Sequence, residues 1–399
     1  MTETLPSYPM PRAQKCPFDP PPELREVDRV GRVQIWNGDT PWLVTGYNDQ
    51  RAVLADQRFS ADSLKDGFPF QSDSIAARRR TSRSFIAMDD PEHGRLRKML
   101  TRNFMIKRID AIRPRVQQIV DGLIDEMLSG PRPADLVTAF ALPVPSLVIC
   151  ELLGVPYADH EFFQARSRKL VGRDTPAAES LEATDQLRSY LADLVAAKQK
   201  SPTDDLIGRL VAEQLATGEL TADEIVDMSL LLLIAGHETT ANMIGLGTLT
   251  LLKHPDQLNE LRETSDPALI SNAIEELLRY LTIVHTGRRR IATEDVEVGG
   301  HLVHAGEGVI LANDAGNRDA AAFPDPDSLD IHRQARHHVA FGYGVHQCLG
   351  QPLARMELHV VYSTLYRRIP TLALAIPFED VQFKHEMLVY GVHSLPVTW

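Results

Sequence analysis

The sequence has few cysteines and no apolar run long enough to cross a membrane. Only Cys16, Cys150 and Cys348 occur in 399 residues, and this number and spacing exclude a disulfide framework and fit a reducing cytoplasm. The longest apolar run, 230–236, is far shorter than the roughly 20 residues that a spanning helix needs. The Pro-rich N-terminus lacks the apolar core of a secretion signal. We therefore expect a cytoplasmic protein without a membrane anchor.

Basic residues are also in deficit. Lys and Arg number 42 against 54 Asp and Glu, so the formal net charge is −12. An acidic chain binds nucleic acid and anionic membranes poorly, so we expect neither as a partner, and we expect a monomer. Residues 93–109 depart from this balance because they include no acidic residue and six basic ones, Arg95, Arg97, Lys98, Arg102, Lys107 and Arg108.

Helical periodicity dominates residues 91–285. The clearest prediction is a helix over 221–253, which begins with a capping box between Thr221 and Glu224 and ends before Pro255. At about 1.5 Å per residue, this helix is long enough to cross the whole molecule.

The other segments are shorter. We predict an extended arm over 1–22, strands and turns at 36–44 and 51–54, a long loop over 59–84, strands within 288–311, an irregular segment over 316–340, a helix over 351–367 and short strands after 381. No repeat, low-complexity segment or linker divides the chain. The sequence therefore predicts a mainly α fold with a small β portion, in one domain over residues 1–399.

The most specific motif is Phe-Gly-Tyr-Gly-Val-His-Gln-Cys-Leu-Gly at 341–350. Gly342 and Gly344 permit positive φ and close backbone approach, so this loop can direct backbone N–H groups at the sulfur of Cys348. Such hydrogen bonds, and the N-terminus of a following helix, stabilise a thiolate and tune a metal bound to it. A buried, inert cysteine is the alternative interpretation.

This segment resembles the haem-binding loop of the cytochrome P-450 superfamily, F-G-x-G-x-H-x-C-x-G, at every position. The resemblance spans about residues 10–399 and is closest to soluble actinomycete enzymes, including those that hydroxylate polyketide-type metabolites. It implies the cytochrome P-450 fold with the long helix over the haem. It also implies that Cys348 is the axial thiolate of haem b iron and that four neighbours contact the cofactor: Phe341, Gly342, His346 and Gly350.

A second motif, Ala-Gly-His-Glu-Thr-Thr at 235–240, interrupts the middle of the predicted long helix. Gly236 costs about 1 kcal/mol there relative to alanine, which suggests room for a flat cofactor or O2. The Thr239 hydroxyl can bond the carbonyl of Ala235 and open a groove. In the family this is the oxygen-activation motif, which implies that Glu238 and Thr239 are catalytic and that Ala235 and Gly236 contact the cofactor.

Two further sets of residues match family positions. Glu276 and Arg279, at i and i+3 on one helix face, resemble a buried structural pair that joins an arginine near the haem loop, here Arg333. Cationic donors suit the two haem carboxylates, and the resemblance assigns that role to His93, Arg97, Arg290 and His346.

The substrate pocket of the family is built from separated segments above the haem. The matching positions here are Phe68, Phe70, Ile86, Leu233, Ile283, Val284, Leu388 and Val389. A cluster of arginines near this wall is expected to be solvated, with contact to a substrate carboxylate as the alternative: Arg78, Arg79, Arg80 and Arg83. The basic stretch 93–109 resembles the face on which an acidic ferredoxin docks.

The resemblance implies a monooxygenase that inserts one atom of O2 into a C–H bond of a bulky hydrophobic small molecule, with a polyketide-type, statin-like metabolite as our choice. Electrons would come from a ferredoxin and an NAD(P)H-dependent ferredoxin reductase. One rival is a peroxygenase or dehydratase, which should lack the pair Glu238 and Thr239. A second is a haem-based sensor, which turnover with NAD(P)H would exclude. A third is a structural zinc protein, for which Cys348 and His346 supply too few ligands.

Overall fold

The computed structural model describes residues 5–13, 16–81 and 84–399. Of the four arginines considered above, Arg83 lies outside the described residues, and only the backbone of Arg80 is described. The structure is 54% helix and 9% strand, which confirms the mainly α fold with a small β portion. No helix in the described part of the chain is both long and apolar enough to span a membrane.

Most of the molecule is built from α-helices. In chain order they are α1 (Tyr47–Ala55), α2 (Asp73–Thr81), α3 (Glu92–Thr101), α4 (Ile106–Ser129), α5 (Pro143–Leu153), α6 (His160–Val171), α7 (Ala177–Lys200), α8 (Leu206–Arg209), α9 (Ala222–Leu252), α10 (Pro255–Glu263), α11 (Pro267–Leu281), α12 (Asn313–Gly316) and α13 (Gln351–Arg368). Two π-helical turns, Val137–Ala141 and Leu210–Leu215, precede α5 and follow α8.

Helix α9 is the central element, and its predicted boundaries are confirmed. The Thr221 side chain accepts a hydrogen bond from the Glu224 backbone N–H, and the Glu224 side chain accepts one from the Thr221 N–H. This reciprocal capping satisfies two backbone donors that a helix start leaves free. From Ala241 to Leu251 every residue of the helix is buried, because α9 runs through the main apolar core.

The β portion lies at the edge of the helical body. Its ten short strands are β1 (Val30–Arg32), β2 (Trp42–Val44), β3 (Phe59–Ser60), β4 (Ala134–Asp135), β5 (Arg288–Ala292), β6 (Val296–Val298), β7 (His301–Val303), β8 (Gly308–Leu311), β9 (Ala373–Leu374) and β10 (Pro396–Thr398). The largest sheet has the order β1-β2-β8-β5-β3, with only β2 and β8 parallel. Strand β5 therefore sits inside a sheet, which fixes the course of Arg288–Ala292.

Three local predictions are wrong. Residues 51–54 belong to helix α1 rather than to a strand or turn, and the predicted loop over 59–84 contains β3 and the nine-residue helix α2. After residue 381 the chain forms one strand, β10, and two isolated bridges, Phe383 with Val392 and Met387 with Gly172, so it is mostly irregular.

A buried ion-pair cluster joins α11 to the irregular segment before the 341–350 loop. Arg279 donates to both carboxylate oxygens of Glu276, at 2.7 and 2.8 Å, and Arg333 Nε donates to Glu276 Oε1 at 3.2 Å. Arg279 also donates to the backbone carbonyls of Asn317 and Pro326. The side chains of Glu276 and Arg279 are fully buried, so this cluster holds the segment that leads into the loop.

Candidate active site

A cavity of about 440 Å³ separates the middle of α9 from the 341–350 loop. On one side it is lined by Ala235, Gly236, Thr239 and Thr240 of α9; on the other by Phe341, His346, Gln347, Cys348, Leu349 and Gly350. Helix α13 begins directly after the loop, at Gln351. The two motifs found in the sequence therefore face each other across one enclosed space.

The loop holds its shape through two glycines with left-handed backbone. Gly342 has φ +74°, and a Cβ there would lie 2.8 Å from Arg288 Nε. Gly344 has φ +72°, and its Cβ would collide with the carbonyl oxygen of Leu54 at the end of α1. No L-residue with a side chain fits either place without displacing its neighbour. The loop is also closed by a hydrogen bond from Cys348 N to Phe341 O, at 2.9 Å.

Cys348 is half-buried in an electropositive environment. Burial raises the pKa of the Cys348 thiol, whereas Arg288 and the backbone N–H of Gly350 act in the opposite direction. A thiolate at this position is stable only if a cation is coordinated to it, because burial alone favours the neutral thiol.

Arg97 and Arg290, two cations that line the cavity, form no ion pair with an acid among the described residues. The pKa of Arg290 is lowered to about 10, and burial is the largest cause. The neighbouring Arg288 also lowers this pKa, and its effect is larger than the opposite effect of Asp89. Arg97 donates to Gln347 O at 2.6 Å, and Arg290 donates to Arg289 O at 2.8 Å, so both pair with carbonyls rather than with carboxylates.

Two neutral imidazoles adjoin these arginines. Burial, together with Arg290 and His93, lowers the pKa of His346 to about 3. Within the described part of the chain, the Nδ1 atom of His346 and the Nε2 atom of His93 are buried without a hydrogen-bond partner. The two rings pack against each other with centroids 4.0 Å apart. His93 therefore lies against His346 and is not among the described residues that line the cavity.

These residues fit a flat cofactor that carries carboxylates and a metal ion. The guanidinium groups of Arg97 and Arg290 and the imidazole of His346 would receive the carboxylates, and the single thiol would bind the metal. Haem has both features, so the donors present match the group that the loop motif implies.

The α9 wall differs from the sequence prediction in two respects. Thr239 Oγ1 donates to Ala235 O at 2.7 Å, as expected, but α9 continues through residues 235–240 without interruption. A Cβ at Gly236 would lie 2.7 Å from Ile149 Cδ1 of α5, a residue that also lines the cavity. The close packing of α5 on α9 therefore explains why position 236 is a glycine, and Gly236 is one of the residues that line the cavity.

Glu238 points away from the 440 Å³ cavity into a buried polar network. Its Oε1 lies 3.6 Å from His237 Nε2, and His237 Nδ1 donates to Leu233 O at 2.6 Å. Burial raises the pKa of the Glu238 carboxyl, but the nearby His237 and Lys384 outweigh this effect and hold that pKa below its ordinary value. Glu238 is therefore an ionised, buried carboxylate.

The expected substrate positions divide into three groups. Five line the 440 Å³ cavity: Phe68, Phe70, Ile86, Val284 and Leu388. Val389 lines a neighbouring cavity instead. Leu233 and Ile283 are not among the described residues that line either cavity, and both side chains are buried in the main apolar core. Leu233 lies on the face of α9 that carries His237, and this face packs against Phe163 of α6.

Sequence reasoning did not place three cations on the cavity wall. Arg78 and Arg79, which it expected to be solvated, both line the cavity, and Arg288 lines it beside Cys348. The repeated arginines at 78–80 and 288–290 were visible in the sequence, but only the fold shows which of them point inward.

Comparisons with known proteins agree with this site. Residues 174–369 match the model of the family described as Cytochrome P450. The chain is 55% identical to Cytochrome P450-SU2 of Streptomyces griseolus, over 98% of this chain and 97% of the relative. It is also similar to the crystal structure of GfsF (52% identity, TM-score 0.92, 99% and 100% of the two chains), a protein of Streptomyces halstedii.

A third match carries a bound ligand. The mycinamicin VIII C21 methyl hydroxylase MycCI of Micromonospora griseorubida, solved with mycinamicin VIII, is 41% identical, with a TM-score of 0.93 and coverage of 99% and 100%. The chain therefore belongs to the cytochrome P450 family, of the actinomycete type. It is an oxidoreductase of the monooxygenase class that uses haem iron and O2 and acts on small molecules.

Proposed function

We propose that the protein is a haem-thiolate monooxygenase in which Cys348 ligates the iron of haem b. The observation that supports this most directly is the half-buried Cys348 thiol on one side of a cavity whose other side carries Thr239. Arg97, Arg290 and His346 would hold the haem carboxylates, and His93 would support the His346 ring. Bound haem supplies O2 binding and oxidation of the C–H bond.

The residues of α9 would deliver protons. Inserting one oxygen atom from O2 consumes two protons and two electrons, and the second oxygen atom leaves as water. Thr239 Oγ1 faces the cavity and would hold an ordered water there. Glu238 lies on a different side of the helix, as residues about 100° apart must, and would exchange protons between its buried network and that water.

For the substrate, we propose a bulky, mainly apolar secondary metabolite of polyketide type, including statin-like lactones or acids. The wall contributed by Phe68, Phe70, Ile86 and Leu388 is apolar and half-buried or exposed toward the cavity. The relative solved with mycinamicin VIII supports a large substrate. Separate chain segments build this wall, so it can accommodate a ligand much larger than O2.

For the electron donor, we propose an acidic ferredoxin with an NAD(P)H-dependent reductase. Five of the six basic residues in 93–109 are exposed: Arg95, Lys98, Arg102, Lys107 and Arg108. The last four flank the exposed Met105 and Ile106 in the sequence. Arg95 pairs with Glu224, and the sixth residue, Arg97, lines the cavity. Exposed cations around an apolar centre suit a transient, electrostatically steered complex.

The thiolate assignment is tested by spectroscopy of the reduced, CO-bound protein. We expect the red-shifted Soret band of a thiolate-ligated haem in the wild type and its loss in Cys348→Ala. Cys16→Ala is the matched control, because Cys16 is exposed and distant in sequence from the site. A Cys348→Ala protein that keeps the band would refute the ligand assignment.

A further inference from the structure

A second cavity, of about 280 Å³, adjoins the cavity between α9 and the 341–350 loop. The two spaces share a wall formed by Arg78, Arg79, Ile86, Leu231, Ala235, Thr239 and Leu388. They are therefore parts of one chamber, and the Thr239 hydroxyl borders both parts. A substrate that reaches the oxidation site from this side must pass the two arginines.

Arg79 is a half-buried cation in this shared wall. Among the described residues, no carboxylate forms an ion pair with it, and desolvation lowers the pKa of its guanidinium. Arg78 differs, since its guanidinium donates to the backbone carbonyl of Leu170 at 2.8 Å. Arg79 is thus a cation that lines both cavities and has no carboxylate partner among the described residues.

The acidic side chains of the second cavity are engaged elsewhere. Asp227 pairs with Arg188 of α7. Glu238 interacts with His237 and lies in the field of Lys384. Neither acid forms an ion pair with Arg79, so a ligand that enters the chamber can supply the anion that this partly desolvated cation lacks.

The haem carboxylates have their own partners. Arg97, Arg290 and His346 line the first cavity together with Cys348, but none of them lines the second cavity. Arg79 belongs to the part of the chamber bounded by Ile86, Thr239 and Leu388. The positive charge of Arg79 is therefore available to the substrate rather than to the cofactor.

We propose that the substrate carries a carboxylate and that Arg79 binds it, so that Arg79 is the specificity-determining residue of this enzyme. The inference rests on the proposed function. A guanidinium presents two parallel N–H groups that match the two oxygens of a carboxylate. The apolar side chains of Phe68, Phe70 and Leu388 would hold the body of the molecule, and the carboxylate would fix which carbon approaches Thr239.

The test compares ligands that differ in one negative charge. Abietic acid and methyl abietate form one pair, and dodecanoic acid and methyl dodecanoate form a second. Dissociation constants are measured at pH 7.4 on the haem-loaded protein, from the ligand-induced Soret shift and from calorimetry. We expect the wild type to bind at least one acid about 10- to 100-fold more tightly than its ester.

Variants of Arg79 separate charge from shape. We expect Arg79→Gln to remove the preference for the acid by weakening acid binding, with ester binding unchanged, and Arg79→Lys to restore part of it. Lys65→Gln is the matched control, because Lys65 is an exposed cation outside both cavities. This control should keep the wild-type preference.

Three results would overturn the proposal: equal binding of acid and ester by the wild type, an acid preference that persists in Arg79→Gln, or no acid binding in either pair. The comparison within the wild type stands even if a variant does not fold. The CO-bound spectrum of the same preparations distinguishes this failure from failure of the proposed function. A thiolate-type spectrum without acid preference contradicts only the role of Arg79.

Discussion

At the scale of single residues, the hydroxyl of Thr239 combines a fixed position with access to the cavity. Its hydrogen bond to Ala235 O holds the side chain on the wall where O2 would bind. We expect Thr239→Ala to keep haem and substrate affinity but to divert electrons to hydrogen peroxide, because proton delivery becomes disordered. We expect Glu238→Gln to slow turnover with an increased solvent isotope effect. Product formed per NAD(P)H consumed is the decisive measurement.

Thr239→Ser is the control for this prediction, because serine keeps a hydroxyl at the same place. It should retain most of the coupling between NAD(P)H and product. Wild-type coupling in Thr239→Ala would show that another group orders the water, for example a hydroxyl of the substrate itself.

The sequence predicted which residues form the site more successfully than the direction in which each side chain points. The spacing at 341–350 and 235–240 indicated the residues that the structure brings to one cavity. The direction of Leu233 could not be predicted, because α9 is apolar on all sides through 230–234 and only the position of α6 decides which leucine faces the core. The inward orientation of Arg79 had no sequence signal for the same reason, since it depends on what packs around α2.

At the scale of elements, the contacts of Arg279 hold α11 to the segment that leads into the 341–350 loop. Removing one partner of a fully buried ion pair leaves the other charge uncompensated, which costs about 3–5 kcal/mol. We therefore expect Arg279→Leu to lower the free energy of unfolding by about that amount and to reduce haem retention. Urea-unfolding midpoints, read by fluorescence and by the Soret band, measure both effects.

The exposed pair of Arg25 and Asp327 provides the matched control. Its atoms approach to 2.7 Å, as closely as the buried pair, but both side chains are largely in water. We expect Arg25→Leu to cost less than about 1 kcal/mol. Equal unfolding midpoints for Arg279→Leu and Arg25→Leu would show that the buried cluster does not stabilise the protein more than an exposed ion pair does. Arg279→Lys, which keeps the charge but loses the two parallel hydrogen bonds, should lie between them.

Helices whose sequence marks both ends were predicted well, whereas short elements without such marks were not. Helix α9 has a capping box at its start and His254-Pro255 at its end, so its boundaries follow from local chemistry. Helix α2 lies in a segment with one glycine, one proline and three consecutive arginines, and its sequence has no clear apolar stripe. It forms because Ile75 and Ala76 are buried when α2 packs against α7, a tertiary effect.

At the scale of the whole molecule, charge is distributed unevenly. The chain is acidic overall, yet Lys98, Arg102, Lys107 and Arg108 are exposed near the surface where α3 meets the 341–350 loop through Arg97 and Gln347. We expect reduction by an acidic ferredoxin to slow as salt rises, and the double variant Arg102→Glu with Lys107→Glu to slow it strongly at low salt. Stopped-flow absorbance of the CO-bound form measures this rate.

A second double variant, Lys65→Glu with Lys200→Glu, makes the same change in net charge at exposed positions outside 93–109. It should reduce the rate far less. Equal rates for the two double variants at low salt would contradict a docking site on this surface, and substrate dissociation constants should be the same in all three proteins.

The ends of the chain are also tied into this body. The Arg12 guanidinium donates to the carbonyls of Leu281 and Thr282 and lies 4.4 Å from the ring centre of Tyr390. It thereby connects the N-terminal arm, the end of α11 and the C-terminal part of the chain. On this ground we propose that residues 1–399 form one domain.

The two sides of the cavity differ in how well they tolerate substitutions that would change the substrate of the enzyme. The side formed by the 341–350 loop tolerates little change, because Gly342 and Gly344 each leave no room for even a methyl group. Across the cavity, Phe68, Phe70, Ile86 and Leu388 are side chains from separate stretches of chain. A mutant library confined to those four positions would vary the shape of the chamber while leaving the oxidising centre intact.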